Sequence, residues 1–523
     1  MRRFVSPGAV AFLAFWVLLL VAGRSSFFRD PGTFWHTTTG EKILKEGFIR
    51  ADPYTFTFAG QWWVPYQWLG EVGMALAHRV GGFDAQLLGA ATILAAVFAW
   101  LSVRLLRTGL NLAVVAGLMA LTLAAAGSHF HVRPHLVTIA CLTITMAWLV
   151  DVDAGKKHLQ WLGWLVPLFV FWTNAHGGML GGVASVGLVF AGWLAWWQYG
   201  RTRSVSDGVC RINPVAHAPG SPVKSWRDVG FLVLVGLGCG LAALASPYGW
   251  DLVKTWRVIL GEPALRQIIQ EHRPLDVTEP YAWPVLGMAA LFLFVLAGVP
   301  RSEWRASWLL PLFWLIQSFG RCRHAPLFAV VALVAITAMW PHTRWAAMLA
   351  KKRPDFYTPP TEEKRSPWYA NVWLPAVAVL LSLTLQANRV AVPVIGAGWA
   401  THDAGHWPME LLDVLKEHEP KSPGDPHRVF NEYLDGGFLI YHAPNYRVFV
   451  DDRCELFGGA WLLAFVDGYA NDTAGKVEAW QREYGRFDFA LTRTGSGYDD
   501  YFKSQAAWRM VKTTPTATFY VRQ

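Results

Sequence analysis

Residues 8–23 read GAVAFLAFWVLLLVAG, and residues 29–36, just beyond Arg24, read RDPGTFWH. The first run approaches the roughly 17–25 apolar residues that cross a bilayer. Similar uncharged runs recur at Ala85 to Val103, Leu110 to Ala126 and Phe231 to Ala245. The whole chain agrees: of 523 residues 53% are hydrophobic, 14% aromatic and only 16% charged, against about 25% charged in globular proteins. That excludes a water-soluble body of this size, a disordered chain, collagen and a disulfide scaffold.

Apolar runs bounded by charge or by Gly and Pro give about eleven spans, near 5–23, 85–103, 110–126, 135–150, 159–173, 179–197, 229–245, 281–298, 307–319, 324–340 and 369–386. The ninth is short. Met1-Arg2-Arg3 before an apolar run has the look of a signal peptide, but no small-residue cleavage site precedes Arg24, so it reads as an uncleaved first span. With the N-terminus cytoplasmic, the inside connections hold Arg2, Arg3, Arg104, Arg107, Lys156, Lys157, Lys351, Lys352 and Arg353 among others, at about twice the basic density of the outside loops. The net charge of +9 is thereby assigned to topology and not to nucleic acid. The 29 tryptophans, many near span ends, read mostly as an aromatic belt. Cys141 and Cys239 fall inside spans as small hydrophobes.

An odd number of spans puts the remainder outside. The expected architecture is an α-helical polytopic membrane domain over residues 1–386, with a first exoplasmic loop at 24–84, and an exoplasmic α/β domain over residues 387–523. In the latter, Arg428 to Tyr433, Arg447 to Asp451 and Phe487 to Thr492 read as strands, and Met409 to Glu417, Trp461 to Tyr469 and Lys476 to Tyr484 as helices, an alternation that suggests a partly parallel sheet. Thr33 to Glu46 has helical spacing and fits a short helix lying in the interface.

Nearly every unusual polar cluster lands on the outer side. The first loop carries Asp30-Pro31, His36, Asp52-Pro53 and Glu71; shorter outer loops carry His129, His131 and Arg133, then His176-Gly177-Gly178, then Glu271-His272, then Arg321 and Arg323. Each sits at or beside a helix end, where a charged head group can be held while a lipid tail stays in the bilayer. The span centres are almost free of charge, which counts against a transporter or flippase with a polar midplane path.

These residues resemble a family. Asp30-Pro31 with Trp35-His36 and Gly40, Asp52-Pro53-Tyr54-Thr55-Phe56, Trp68-Leu69-Gly70-Glu71, Asn174-Ala175-His176-Gly177-Gly178 and Gly436-Gly437 with Asp451-Asp452-Arg453 look like an uncharacterised bacterial branch of the GT-C superfamily of membrane glycosyltransferases. The resemblance implies transfer of a sugar, with inversion, from a polyprenyl-phosphate-linked donor to a glycan, lipid or protein acceptor outside the cytoplasmic membrane. The family's first-loop catalytic acid maps onto Asp30, with Asp52 as a second catalytic candidate. His36, His129, His131, Arg133, His176, Arg321 and Arg323 become donor-phosphate contacts, and Glu71, Glu271 and His272 acceptor contacts. No cofactor is required and no metal ligands are assigned. A divalent metal stays open, because the superfamily often has two adjacent acids where this chain has Arg29-Asp30.

Each residue also has a plainer reading. Asp30 and Asp52 can cap a helix or a turn before proline, His36 can pack on Trp35, and Glu71 can make a structural hydrogen bond. His176 can cap a helix whose Gly pair permits close packing, and Arg321 and Arg323 can be snorkelling anchors. A zinc site at His129, His131 and Arg133 lacks a nearby Cys. Gly436-Gly437 can cradle a phosphate, and Asp451-Asp452-Arg453 can be a salt-bridged turn or an acceptor-binding edge. The alternative for the whole chain is a non-catalytic envelope assembly or scaffold protein of GT-C-like shape.

Overall fold

The computed structural model describes residues 6–206, 221–360, 369–421 and 427–523; Arg2 and Arg3 lie outside the described residues. Among these residues nine helices are long and apolar enough to cross a membrane, from Pro7–Ser26 to Tyr369–Ala387. The other two expected spans are shorter. One is a 3-10 turn, Leu159–Trp164, running into the helix Leu165–Ala175, and the other is Ala306–Gly320, which carries Pro311 inside it. The chain is a multi-pass α-helical membrane protein with a small sheet at its C-terminal end.

Burial explains the patterning of individual helices. Every residue of Ala325–Met339 is buried, as suits a helix that is apolar all round and packs among others on all sides. Trp68–Leu106 is 39 residues long, roughly 58 Å at 1.5 Å per residue and about twice a bilayer's apolar thickness. It is broken at Gly81 and Gly82, the latter at φ +63°, a conformation that glycine adopts without a Cβ clash. The break separates a spanning piece from an end piece that carries Gln67 and Glu71 to the site.

The C-terminal sheet has the order β2-β1-β3-β5-β4, with β1 Arg428–Asn431, β2 Arg447–Val448, β3 Phe489–Arg493, β4 Trp508–Thr513 and β5 Ala517–Arg522. The first three are parallel and the last two join antiparallel. The expected strand to Asp451 stops at Val448 because the Asn431 side chain takes over. Phe449 N–H donates to its Oδ1 at 2.7 Å, and its Nδ2 donates to the Val450 carbonyl at 2.7 Å. The β4–β5 hairpin went unread in the sequence, although Thr514 to Thr516 between two β-rich runs is a turn signal.

The tail does not close its core by itself. Phe34, Trp35, Tyr54 and Trp63 of the first loop share an apolar cluster with Trp407, Val429, Phe438 and Phe519. Thr55 also bridges in parallel to Val448, with Phe56 N–H donating to the Val448 carbonyl and Val448 N–H to that of Tyr54. This covers the free edge of β2, an edge that would otherwise invite pairing with another chain. The helix Gly32–Glu46 is therefore not an interfacial helix as its spacing suggests. Phe34 is fully buried, with Phe83, Trp407 and Phe438 rings 5.0–5.9 Å away, so its apolar side is spent on protein rather than lipid. Gly436 and Gly437 serve the same docking. A Cβ on Gly436 would strike the Val450 carbonyl, and one on Gly437 the carbonyl of Pro31, which accounts for the pair without a phosphate.

Candidate active site

At the end of the bundle that carries the first loop and the tail lies a cavity of about 560 Å³. Its lining includes the polar His129, Arg133, His176, Glu271, His272, Arg321 and Arg323 and the apolar Ile259, Leu260, Phe313 and Leu327. Seven of the twelve residues expected at the site are thus gathered from four outer connections.

Backbone stitching sets the position of Arg133. Val132 N–H donates to the Phe27 carbonyl at 2.9 Å, and Thr33 Oγ1 donates to the Val132 carbonyl at 2.9 Å. The Arg133 guanidinium thereby faces Asp30 at 2.8 Å and Glu271 at 3.7 Å. Burial alone would depress this guanidinium's pKa, but Asp30, Glu271 and Asp452 together raise it. Gly32 keeps the corner open, since a Cβ there would stand 2.7 Å from Asp30 Oδ1 and 2.9 Å from Arg133 Nε.

Asp30 does both things its sequence allowed. Oδ1 accepts the Gly32 N–H at 2.7 Å ahead of the helix, and Oδ2 accepts from Arg133. Its carboxylate sits behind Arg133 rather than on the cavity wall. Asp52 stands elsewhere. It accepts the Tyr54 and Thr55 N–H groups at 3.2 and 3.0 Å and meets Arg453 at 2.7 Å, both side chains fully buried. Arg453 also bonds Asp451 at 2.7 Å and lies over the rings of Trp63 and Tyr54. The Asp451-Asp452-Arg453 stretch is thus, at Arg453, a clamp between tail and first loop.

His36 and Glu71 are fully buried and bonded to each other at 2.9 Å, one layer behind the cavity. Burial first, and the Arg133 charge second, push the His36 imidazole well below its usual range. The carbonyl of Glu71 crowds Gly40 so closely that a Cβ there would clash. His36 reaches the cavity only through Gln67, 3.4 Å from its Nε2. His131 does not line the cavity; its ring stands 6.4 Å from that of His135, which does.

Hydrogen bonds assign the protons on three imidazoles. His176 Nδ1 accepts from Gly178 N–H at 3.0 Å, with Thr138 Oγ1 2.8 Å away and Trp172 Nε1 donating to that hydroxyl, which leaves the ring proton on Nε2. His272 Nε2 accepts from Arg323 at 2.6 Å, so its proton is on Nδ1. His135 Nε2 donates to the His129 carbonyl at 2.7 Å. Burial and the neighbouring arginines push His272 and His135 down to about 3. Glu271 is held well below the usual carboxylate range: burial would raise it, but Arg133, His129 and Arg323 outweigh that. Buried ring nitrogens of His129, His135 and His272 have no protein partner, and such groups ask for a ligand or water.

Sequence reasoning assigned no role to Gln67, His135 or His324, and left Asp452 between a salt-bridged turn and an acceptor-binding edge. Gln67, His135 and His324 lie on the cavity wall, and Asp452 accepts from Trp35 Nε1 at 2.7 Å. His135 and His324 had a signal, being imidazoles at the starts of apolar helices beside Arg133 and Arg323. Among the described residues no group of three or more His, Cys, Asp or Glu is arranged to hold a metal ion.

The chain is similar to ArnT of Cupriavidus metallidurans. Against ArnT bound to undecaprenyl phosphate the TM-score is 0.49 at 16% identity, over 98% of this chain and 97% of that one; against the apo state it is 0.47 at 15%, with the same coverage. A similar structure is also the oligosaccharyltransferase of Archaeoglobus fulgidus tethered to an acceptor peptide containing the NVT sequon, with a TM-score of 0.48 at 11% identity over 94% of this chain and 70% of that one. No family model matches the sequence, and no curated protein matches it. At such identities substrate and chemistry have to come from the residues of this chain.

Proposed function

We propose that the protein is a GT-C-type membrane glycosyltransferase that moves a sugar from a polyprenyl-phosphate donor to an acceptor at the outer face of the cytoplasmic membrane. One observation carries this reading: three guanidinium groups and imidazoles with unpartnered ring nitrogens line one cavity that apolar side chains line as well. A lipid-linked phosphate has that pair of properties. Arg133, Arg321, Arg323 and the histidines hold the phosphate, since charge-assisted hydrogen bonds to phosphate are roughly twice as strong as neutral ones. Asp30 is the base. While Arg133 occupies its Oδ2, that oxygen cannot take a proton; a donor phosphate that draws Arg133 into the cavity frees it.

The acceptor hydroxyl then gives its proton to Asp30 as its oxygen attacks the anomeric carbon from the face opposite the phosphate. The bond from that carbon to the phosphate oxygen breaks with inversion. The polyprenyl phosphate leaves with the bonding pair, and the arginines stabilise the charge it gains. In this reading residues 387–523 form, with the first loop, an exoplasmic cap, and the N-terminus is cytoplasmic. Transfer of labelled sugar from membrane lipids tests it: Asp30→Asn, with normal folding, loses transfer, whereas unchanged transfer removes Asp30 from the role.

A second reading rests on the same aspartate. Both Asp30 oxygens are engaged by protein groups and stand back from the cavity wall, which suits a non-catalytic envelope protein that binds the lipid and keeps the shape. Such a protein binds undecaprenyl phosphate in purified form but gives no transfer with any donor, wild type and Asp30→Asn alike.

A further inference from the structure

Apart from the arginines and from Asp30, three side chains stand in line from the cavity inward: Gln67, His36 and Glu71. His36 Nδ1 is 2.9 Å from Glu71 Oε1, and His36 Nε2 is 3.4 Å from Gln67 Nε2. An amide nitrogen donates and does not accept, so His36 Nε2 accepts and the ring proton sits on Nδ1, where Glu71 Oε1 takes it. Gln67 lines the cavity. With its nitrogen spent on His36, the amide has its carbonyl oxygen left for a ligand, and the direction of that oxygen is set from behind.

The surroundings keep the line rigid. The His36 and Glu71 side chains are fully buried, so water does not compete for their hydrogen bonds. The helix turn that carries Gln67 and Glu71 is packed backbone to backbone: a Cβ on Gly40 would strike the Glu71 carbonyl, and one on Gly70 would stand 2.7 Å from both the Ala175 carbonyl oxygen and Pro134 Cβ. Trp68 Nε1 donates to Asn174 Oδ1 at 2.7 Å on the same turn. Pro134 follows Arg133, so this turn is fixed beside a phosphate contact.

A fixed acceptor in that place suits one part of a lipid-linked donor. A phosphodiester and a polyprenyl chain carry no hydrogen-bond donor, whereas the sugar attached to the phosphate carries several hydroxyl groups. We infer that Gln67 is a specificity-determining residue whose amide oxygen accepts from a hydroxyl of the donor sugar, with His36 and Glu71 as the positioning residues that aim it. This rests on the phosphate-site reading above. An acceptor aimed in advance loses little on binding, and a ligand without the matching hydroxyl leaves it unpaired, which is how a polar site discriminates.

Binding to the purified full-length protein in nanodiscs tests it, with undecaprenyl phosphate and the mannosyl-, glucosyl- and galactosyl-phosphoryl-undecaprenols as probes. For the sugar-linked lipid that wild type binds most tightly, Gln67→Met should weaken binding about 5- to 10-fold, the size of one hydrogen bond, while undecaprenyl phosphate changes less than about twofold. Glu71→Leu should give the same selective loss through a misdirected amide. Adding it to Gln67→Met should cost nothing more, because the two act through one group. Glu71→Gln keeps an oxygen for the His36 proton without the charge and should bind both lipids as wild type does, which separates aim from electrostatics. Equal weakening of both lipids in Gln67→Met, or none, overturns the inference. So does a Glu71→Leu protein that melts lower yet binds both lipids as wild type does, since the line is then a matter of packing. If wild type does not bind undecaprenyl phosphate at all, it is the phosphate site itself that fails, and the role of Gln67 with it.

Discussion

Asp30 and Asp52 lie in the same loop, each just before a proline, and each meets an arginine brought from far along the chain. Asp52 and Arg453 are both at 0% side-chain exposure, with Asp451 closing the other side and aromatic rings above. Asp30 and Arg133 are at 9% and 23%, and Arg133 forms part of a cavity wall. The chemistry of the two pairs is the same; the difference is access. A closed pair can only hold two segments together, because no substrate reaches it. An open pair can exchange one partner for a ligand, which is what a site requires.

The comparison breaks most readily at Arg453. Arg453→Met leaves Asp52 and Asp451 buried without their partner, and removing one partner of a buried pair costs about 3–5 kcal/mol. Denaturation of the detergent-solubilised protein should show the tail releasing from the first loop; a cost under ~1 kcal/mol would mean the clamp is not what holds them. Asp30→Asn should do the opposite, cutting sugar transfer by about 10²-fold or more while the melting temperature barely moves, since Asn still accepts the Gly32 N–H. A smaller change is expected for Arg323→Gln, about tenfold weaker binding of undecaprenyl phosphate for the loss of one charged contact, with the Asp52 clamp intact. Equal effects on binding and on stability would blur the distinction between open and closed pairs.

A pH-dependent effect is expected in the tail. Burial pushes Glu432 up to about 8 and Asp435 up to about 6, although Arg493 stands 2.6 Å from Asp435. Carboxyl groups raised in the folded protein favour it fully only below their unfolded values, and stability falls as pH climbs towards the folded ones. The melting temperature of the tail should therefore drift downward from about pH 5 to about pH 8. Glu432→Gln should flatten most of that drift; a rise with pH in the wild type would contradict the burial of both acids.

All eleven apolar segments, and the convergence of polar loops at one end of the bundle, were legible in the residues because length and hydropathy are counted along a single stretch of chain. Several strands and helices of the tail were legible for the same reason, but not the helices Cys454–Phe457 and Gly497–Ser504, the last hairpin or the point where the Asn431 amide replaces a ladder. What only the tertiary structure decided was which acid meets which arginine. Arg133 faces Asp30 across 103 positions of sequence, and Arg453 faces Asp52 across some four hundred. Such pairings depend on how loops are stitched and which side chains water can reach. Burial in three dimensions, which no spacing along the chain encodes, made a clamp of one aspartate and left the other beside a cavity.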